Sequence, residues 1–475
     1  MFWQRKKDAK SANKKPRVFL IGGWIGWWNF GDIIQLKSVI KNYRRRVKKS
    51  EIYTIVPLAG LSSLEDLKRI DKMLQEVKLV IWGNPSESNN IHQKDFRKTF
   101  VKINTDCCRV IVLHLYGGGF LNEYGGKKAI EMVERAYNLF RPEKYLISGQ
   151  QISKKVIKAF KKHVANFQPL IIGARDELTL KYLKENNINS VFSWDTSADL
   201  ILEIKNRITR SNKPKKKTVG LHFNTSSHVL KKEDLGLLKD DIKKIFDFAR
   251  NKEVILLNSF IMESALVKDT FKSVDYLFLQ EFRTKYSALA LVGDVCLKNA
   301  DETIKMIEDY KIEAVFATSY HTALFFNLLD IPAYLFAFND YYLQKHIGLY
   351  GRKISIGSFI KNRSRITQEL KTKFEENIKR RREYLKKVPS LIKLPGKKAE
   401  IAEYTYQNWP NKSLQTFEID PVISSLNDKV LCLKKIIEDK SKELQEQAVL
   451  LGSAKKYLAW KWRIITKKKG AGDKK

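Results

Sequence analysis

Short apolar runs alternate with amphipathic stretches from Val18 to Ala337, which predicts strands and helices in turn. Val18–Ile21 reads as a buried strand. Asp32–Arg46 reads as a helix, with Ile33, Leu36, Ile40 and Tyr43 on one face and Asp32 suited to the N-cap. Further strands are expected at Ile52–Val56, Leu79–Trp82, Val110–Leu115, Lys144–Ser148 and Leu170–Gly173, and this first series ends near Ile204. The stretch Arg207–Lys217, rich in lysine and arginine around Pro214, reads as an exposed linker. The pattern then restarts. Strands are expected at Thr218–Phe223, Val254–Leu257, Tyr276–Leu279, Val292–Leu297, Ala314–Ala317 and Ala333–Ala337, with a helix at Lys239–Arg250. This spacing predicts parallel, doubly wound sheets.

The expected fold class is α/β: two Rossmann-like parallel-sheet domains in a GT-B-like arrangement, plus a helical basic C-terminal extension. The boundaries read from the pattern are a basic arm at 1–17, a first domain at 18–206, the linker at 207–217 and a second domain at 218–360. A helical return segment at 361–415 and a helical basic tail at 416–475 follow. Gln368–Lys387 reads as a basic helix. Leu426, Val430, Leu433, Ile437, Leu444 and Leu451 carry a weak heptad pattern, with Lys440 and Gln447 in apolar slots. Tyr457–Ile465 mixes aromatics and cations, which suits either an anionic membrane surface or a packed helix with a solvated end.

A chain of 475 residues exceeds one ordinary core. The apolar run nearest to a membrane span, Ala314–Leu329, contains Ser319, His321 and Asn327. Val18–Trp28, though preceded by basic residues, holds glycines and tryptophans and lacks a cleavage pattern, so it reads as strand and loop rather than a leader. Cys107, Cys108, Cys296 and Cys432 form neither a CxxC pair nor a disulfide framework, which fits a cytoplasmic protein and no metal site. A peripheral place at the inner face of the cell membrane stays open. The net charge of +37 points to anionic partners or to a general lysine bias. Nucleic acid is not expected, because no RNA-binding aromatic signature or C2H2 spacing accompanies the basic runs. The oligomeric state is not legible.

Candidate chemistry sits where strands give way to helices, the place where open α/β sheets bind ligands. Gly22, Gly23, Asn29, Gly31 and Asp32 follow the first strand, and Gly117, Gly118 and Gly119 follow a later one. Glycines let backbone approach an anion closely, and a helix start favours negative charge. Arg175 opens a helix with Asp176 and is suited either to a phosphate or carboxylate clamp or to a structural ion pair. Asn224 follows the first strand of the second half. Ser319, Tyr320 and His321 follow another, where the histidine could donate to an anion or act as an acid. Lys345 and His346 are within reach of the same cleft. No P-loop, GxSxG or HExxH motif occurs.

In their order and spacing these segments resemble the polysaccharide pyruvyl transferase family, over roughly Val18 to Gly357. The matching elements are Asn29-Phe30-Gly31-Asp32, the triplet Gly117–Gly119, Arg175-Asp176 and Asp195-Thr196-Ser197-Ala198-Asp199. Ser319-Tyr320-His321 through Pro332 and then Lys345–Leu349 complete the series. Many members show Arg-Leu-His where this chain has Ser319-Tyr320-His321, so another cation, Lys345 or Arg175, has to compensate. The resemblance implies transfer of pyruvate from phosphoenolpyruvate to a glycan or lipid-linked sugar as a ketal, with no further cofactor. His321 would act as acid or phosphate ligand and Asp32 as base or acceptor ligand. Ser319, Tyr320, Lys345, Arg175 and Asn224 would bind the donor, and the glycine loops with Asn29 would face the acceptor. Two other readings stay open: a GT-B glycosyltransferase using a nucleotide sugar, and a non-catalytic polyanion binder.

Overall fold

The computed structural model describes residues 17–23, 29–47, 50–57, 77–82, 112–208, 217–223, 234–259, 290–297 and 300–392. The expected strand Tyr276–Leu279, Asn224, most of the basic arm and linker, and the tail from 416 onward lie outside the described residues.

Among the described residues the first half holds seven strands. They are β1 (Arg17–Ile21), β2 (Glu51–Pro57), β3 (Lys78–Trp82), β4 (Val112–Tyr116), β5 (Lys144–Gln150), β6 (Ile171–Ala174) and β7 (Val191–Phe192). All pair in parallel in the order β3-β2-β1-β4-β5-β6-β7. Among the described residues the helices of this half are α1 (Phe30–Arg46), α2 (Gly126–Phe140), α3 (Ile157–Phe167), α4 (Glu177–Glu185) and α5 (Ala198–Arg207). The second half holds β8 (Lys217–His222), β9 (Glu253–Asn258), β10 (Ala290–Cys296), β11 (Lys311–Ala317) and β12 (Ala333–Leu335), paired in parallel as β10-β9-β8-β11-β12. With them come α6 (Asp234–Ala249), α7 (Ala300–Asp309), α8 (Tyr320–Leu328) and α9 (Asp340–Tyr350). The fold is thus two parallel-sheet α/β units, as the apolar alternation predicts.

Strand order reverses between β1 and β4 in one sheet and between β8 and β11 in the other. Each reversal leaves a crevice at the carboxyl ends of its strands. The first glycine loop follows β1, the triplet follows β4, and Ser319-Tyr320-His321 follows β11. The two crevices face each other: Phe30 N at the start of α1 donates to Ser259 O beyond β9 at 2.8 Å. Phe30 and Phe325 meet edge to face, with centroids 5.4 Å apart.

Two expectations need correction. Asp32 is not the cap of α1; Asn29 is, its side chain accepting from Gly31 N at 2.8 Å, so the helix begins two residues earlier. His346 does not reach the cleft. Its Nδ1 bonds to Leu335 O at 2.6 Å and its Nε2 accepts from Ile354 N at 3.0 Å, which ties it into the second half's core.

The halves are also less separate than the linker implied. One apolar core holds Phe30, Ile34, Trp194, Ala198 and Ile201 together with Phe325, Leu324 and Phe316. A long helix, α10 (Ile356–Ile392), bends at Asn362, where the backbone leaves helical geometry. Its later part returns to the first half. There Arg381 binds Asp199 at 2.7 Å and Ser193 O at 2.6 Å, and Arg380 binds Glu177.

This packing predicts acid lability. Burial lowers His222 and His346 to about 4. His346 is held neutral by its partners, because protonation would set a second N–H against the Ile354 N–H. The unfolded chain therefore binds more protons than the folded one between about pH 4 and pH 6.5. Stability is complete above that window and is lost as pH falls through it, by roughly 3 kcal/mol for each histidine. Melting temperature against pH should fall steeply below pH 6.5 and less steeply in His346→Gln; a flat profile would contradict the assignment.

Candidate active site

The cleft is assembled from strand–helix junctions of both halves, and each glycine loop leaves room for a neighbouring side chain. A Cβ on Gly31 would lie 2.1 Å from His321 Nδ1, and one on Gly23 would lie 2.3 Å from Asp32 Oδ1. A Cβ on Gly22 would enter the Tyr116 ring at 2.4 Å. These glycines are therefore space for neighbours as much as backbone for ligands. Gly117 and Gly118 have φ of +54° and +93°, which a residue with a Cβ rarely adopts. Their turn is held by Gly117 N donating to Ser148 O at 2.7 Å and by Gln151 N donating to Gly118 O at 3.0 Å.

Gly119 is where the first half meets the cations of the second. Its carbonyl accepts from Tyr341 OH at 2.7 Å, and a Cβ there would lie 3.1 Å from Lys345 Cε. Lys345 Nζ lies over the Tyr341 ring, 3.9 Å from its centre. The loops assigned to an acceptor and the residues assigned to a donor thus share one space.

Arg175, at the end of β6, is buried, with only 1% of its surface exposed. Its guanidinium lies over the Tyr320 ring at 4.0 Å and bonds to Gln151 Oε1 through Nη2. Asp176 and Asp195 carboxylates stand 3.8 Å away. Yet Nε and Nη1 of Arg175 have no hydrogen-bond partner among the described residues, nor has Gln151 Nε2. A buried guanidinium left with open donors is a strong anion receptor. Burial disfavours its charge, but Tyr320, Asp195 and Asp176 outweigh that and hold its pKa above the ordinary value.

Asp195 is the central carboxylate. It is fully buried, and its Oδ1 accepts from Ser197 N at 2.9 Å and Ser197 Oγ at 2.6 Å. Gln35 Nε2 approaches from α1 at 3.2 Å. His321 Nε2 stands 3.3 Å from Asp195 Oδ2, near enough for an ion pair but without hydrogen-bond alignment. Burial works against ionisation of Asp195, but His321, Arg175 and Ser197 outweigh it and hold the carboxyl below the usual range. Asp32 behaves oppositely. Burial raises its pKa, with Asp195 adding to the rise and His321 and Lys345 offsetting part of it. Burial and Arg175 hold Lys345 well below the ordinary ammonium value, against the pull of Asp32 and Asp195.

Of the expected site residues, His321, Asp32, Tyr320, Arg175, Lys345 and the glycines converge. Ser319 is engaged as N-cap of α8, accepting from Thr322 N at 3.4 Å. Asn29 is likewise a cap. Asn224 is outside the described residues. Residue-by-residue reading missed Asp195, Gln151, Tyr341, and the Tyr116 hydroxyl, which is buried without a partner among the described residues. Asp195 had a signal, the Asp-x-Ser turn within Asp195-Thr196-Ser197. Tyr116 and Gln151 at strand ends and Tyr341 in the first turn of α9 had none. Among the described residues no group of His, Cys, Asp and Glu could hold a metal ion, and no helix is long and apolar enough to cross a membrane.

No family model and no curated protein matches the chain. Among solved structures it is similar to a UDP-GlcNAc 2-epimerase from Neisseria meningitidis, at 11% identity over 79% of this chain and 94% of that one, with a TM-score of 0.40. It is also similar to ADP-heptose lps heptosyltransferase II of E. coli, at 12% identity over 74% and 99%, with a TM-score of 0.32. An alpha-glucosyltransferase in complex with UDP and DNA aligns at 8% identity over 80% and 100%, with a TM-score of 0.37.

Proposed function

We propose that the cleft transfers pyruvate from phosphoenolpyruvate to a sugar, forming a cyclic ketal. The observation that carries this reading is the buried Arg175, two of whose nitrogens lack a hydrogen-bond partner among the described residues; it is near enough to Lys345 to add to burial in lowering that lysine's pKa, and it shares Asp195 with His321. A small ligand bearing both phosphate and carboxylate matches such a cluster, because each anion needs its own charge-assisted donors. Arg175 over Tyr320 also supplies a cation beside the Ser-Tyr-His segment, where related sequences carry arginine at the serine position.

The residues divide the chemistry as follows. His321 protonates the methylene carbon of the donor, which makes C2 electrophilic. A first sugar hydroxyl adds to C2 and gives its proton to Asp32, which burial makes more basic than an ordinary carboxylate. A second hydroxyl then displaces phosphate from C2 and closes the ketal; its proton leaves with the phosphate. Arg175 and Lys345 hold the anionic groups throughout. Asp195, with Oδ2 3.3 Å from Nε2, holds His321 in place.

The test is a thermal-shift and calorimetric titration with phosphoenolpyruvate, phosphate and a panel of nucleotide sugars. Selective stabilisation by phosphoenolpyruvate is expected, with turnover abolished in His321→Ala while the fold is kept. Binding should weaken as pH rises and Lys345 loses its proton, earlier than an ordinary lysine would. Full turnover in His321→Ala, or a response to one nucleotide sugar and none to phosphoenolpyruvate, would overturn the assignment and favour glycosyl transfer.

A further inference from the structure

Five residues other than glycine adopt left-handed backbone among the described residues. Four of them, Arg141, Gln168, Asn187 and Asp330, stand where helices end, and that conformation is a common way to stop a helix. The fifth, Trp194, has φ of +56°, follows strand β7 and ends no helix. A bulky side chain is a poor choice there, and such backbone persists only where surrounding contacts enforce it. The residue it re-aims is the next one, Asp195, the carboxylate against His321.

Part of what enforces the turn is local to the first sheet. Ser193 N and Trp194 N both donate to Ala174 O, at 2.9 and 3.2 Å, and Ser193 Oγ accepts from Gly149 N at 2.8 Å. The rest comes from α10. Phe374 lies against the buried Trp194 ring, with centroids 5.6 Å apart. Two helical turns later, on the same face, Arg381 forks around the turn from 188 residues beyond Ser193. Its Nη1 donates to Ser193 O at 2.6 Å and its Nη2 to Thr196 O at 3.4 Å. Its Nε and Nη2 donate to the Asp199 carboxylate at 2.9 and 2.7 Å. These acceptors bracket Asp195 on both sides in the chain. Asp199 is tied in turn to α1 by Asn42 Nδ2 at 2.7 Å. Arg381 is buried. Burial opposes its charge, but Asp199, Tyr384 and Asp195 outweigh that and raise its pKa.

From this geometry we infer that Arg381 is a positioning residue for the reaction: from the return helix it holds the left-handed turn at Trp194, which keeps Asp195 aimed at His321. A structural ion pair would need only Asp199. The bonds to Ser193 O and Thr196 O are what tie the guanidinium to the backbone on either side of the central carboxylate. A lysine ammonium can meet Asp199 but lacks the planar fork that reaches all three acceptors at once. α10 thus completes the site from behind, without touching the donor. The effect on rate rests on the reading of His321 as the acid.

The test compares Arg381→Lys, Asp195→Asn and the double variant in the full chain, with Ile366→Ala as control. Ile366 is buried on α10 two turns before Phe374, so its truncation loosens the helix away from the turn. Arg381→Lys should lower kcat with phosphoenolpyruvate by roughly ten- to a hundredfold, while KM changes less than about threefold because Arg175 and Lys345 still hold the donor. Added to Asp195→Asn, it should cost no more than about twofold further, since both changes remove the same hold on His321. A second readout needs no donor. The ring carbon–proton NMR signal of His321 should move in Arg381→Lys and in Phe374→Leu and stay in place in Ile366→Ala; Phe374→Leu also decides the matter if Arg381→Lys does not fold. Losses that multiply in the double variant, or a His321 signal unmoved in Arg381→Lys, would overturn the proposal. So would an equal loss of turnover in Ile366→Ala at an equal drop in melting temperature. A wild-type chain that does not turn over phosphoenolpyruvate would overturn the donor reading alone, and the His321 signal would then decide the proposal.

Discussion

Gly31→Ala is expected to reduce turnover by about a hundredfold or more, with a loss of roughly 1–3 kcal/mol in stability. Helix propensity alone predicts the opposite sign, since alanine is favoured over glycine inside a helix by about 1 kcal/mol. The tertiary contact decides. The new Cβ would lie 2.1 Å from Nδ1 and 2.5 Å from Cγ of His321. That ring is braced by Tyr320 on its own helix and by Asp195 opposite, so relief requires moving His321 or separating α1 from α8. Either movement misplaces the acid, and a displacement of about 1 Å at a reacting group can cost two orders of magnitude. Gly357→Ala is the control, because a Cβ at Gly357 meets nothing within 4 Å. It should leave turnover unchanged. Steady-state rates and melting temperatures of the two variants check the prediction; wild-type turnover in Gly31→Ala would mean that His321 has room the structure denies it.

Arg175→Met is expected to abolish the response to phosphoenolpyruvate and to cost about 3 kcal/mol or more in stability. Arg175 stands 3.8 Å from each of two buried carboxylates, Asp195 and Asp176. Methionine fills much of its volume but removes a countercharge shared by both carboxylates, and a buried charge with less compensation is the costly outcome. The low pKa of Asp195 should rise in the variant, since Arg175 is one of the groups that hold it down. A carboxyl with a depressed folded pKa contributes stability that is present above its unfolded value and lost as pH falls through the folded one. The stability deficit of Arg175→Met should therefore be greatest near neutral pH and shrink in acid, where protonation relieves the unpaired carboxylate. Arg175→Lys separates the two roles. It restores the charge without the planar fork, so it should recover much of the stability and little of the donor affinity. Urea unfolding at several pH values and calorimetric titration give both quantities. Donor binding unimpaired in Arg175→Met would remove the main support for the proposed reaction.

The alternation of apolar runs located every described strand except β7, because a parallel strand buried on both faces leaves a short, dense apolar segment that few other structures produce. It also located the loops of the cleft. Strand–helix junctions announce themselves by glycine and capping residues, and in parallel sheets such junctions gather at one edge. Boundaries were less legible. Asn29 caps α1 in place of Asp32, since both have the short polar side chain that capping requires and only backbone geometry separates them. The short strand β7 gave no periodic signal over its two residues.

The roles inside the cleft depended on tertiary structure. Sequence placed His321 and Arg175 at helix starts but could not show that one lies against Gly31 of the opposite half and the other over Tyr320. His346, adjacent to Lys345 in the chain, points into the core because successive helix residues face different ways. Asp195 acquires its importance from three long-range approaches, by Gln35, Arg175 and His321, none of which leaves a local trace. The sequence by itself determined most of the elements that form and the edge of each sheet at which the glycine and capping residues gather, because both follow from local periodicity and turn residues. Only the tertiary structure decided which side chains share a proton or an anion. Burial and distance set those energies, and both arise when segments far apart in the chain are packed together.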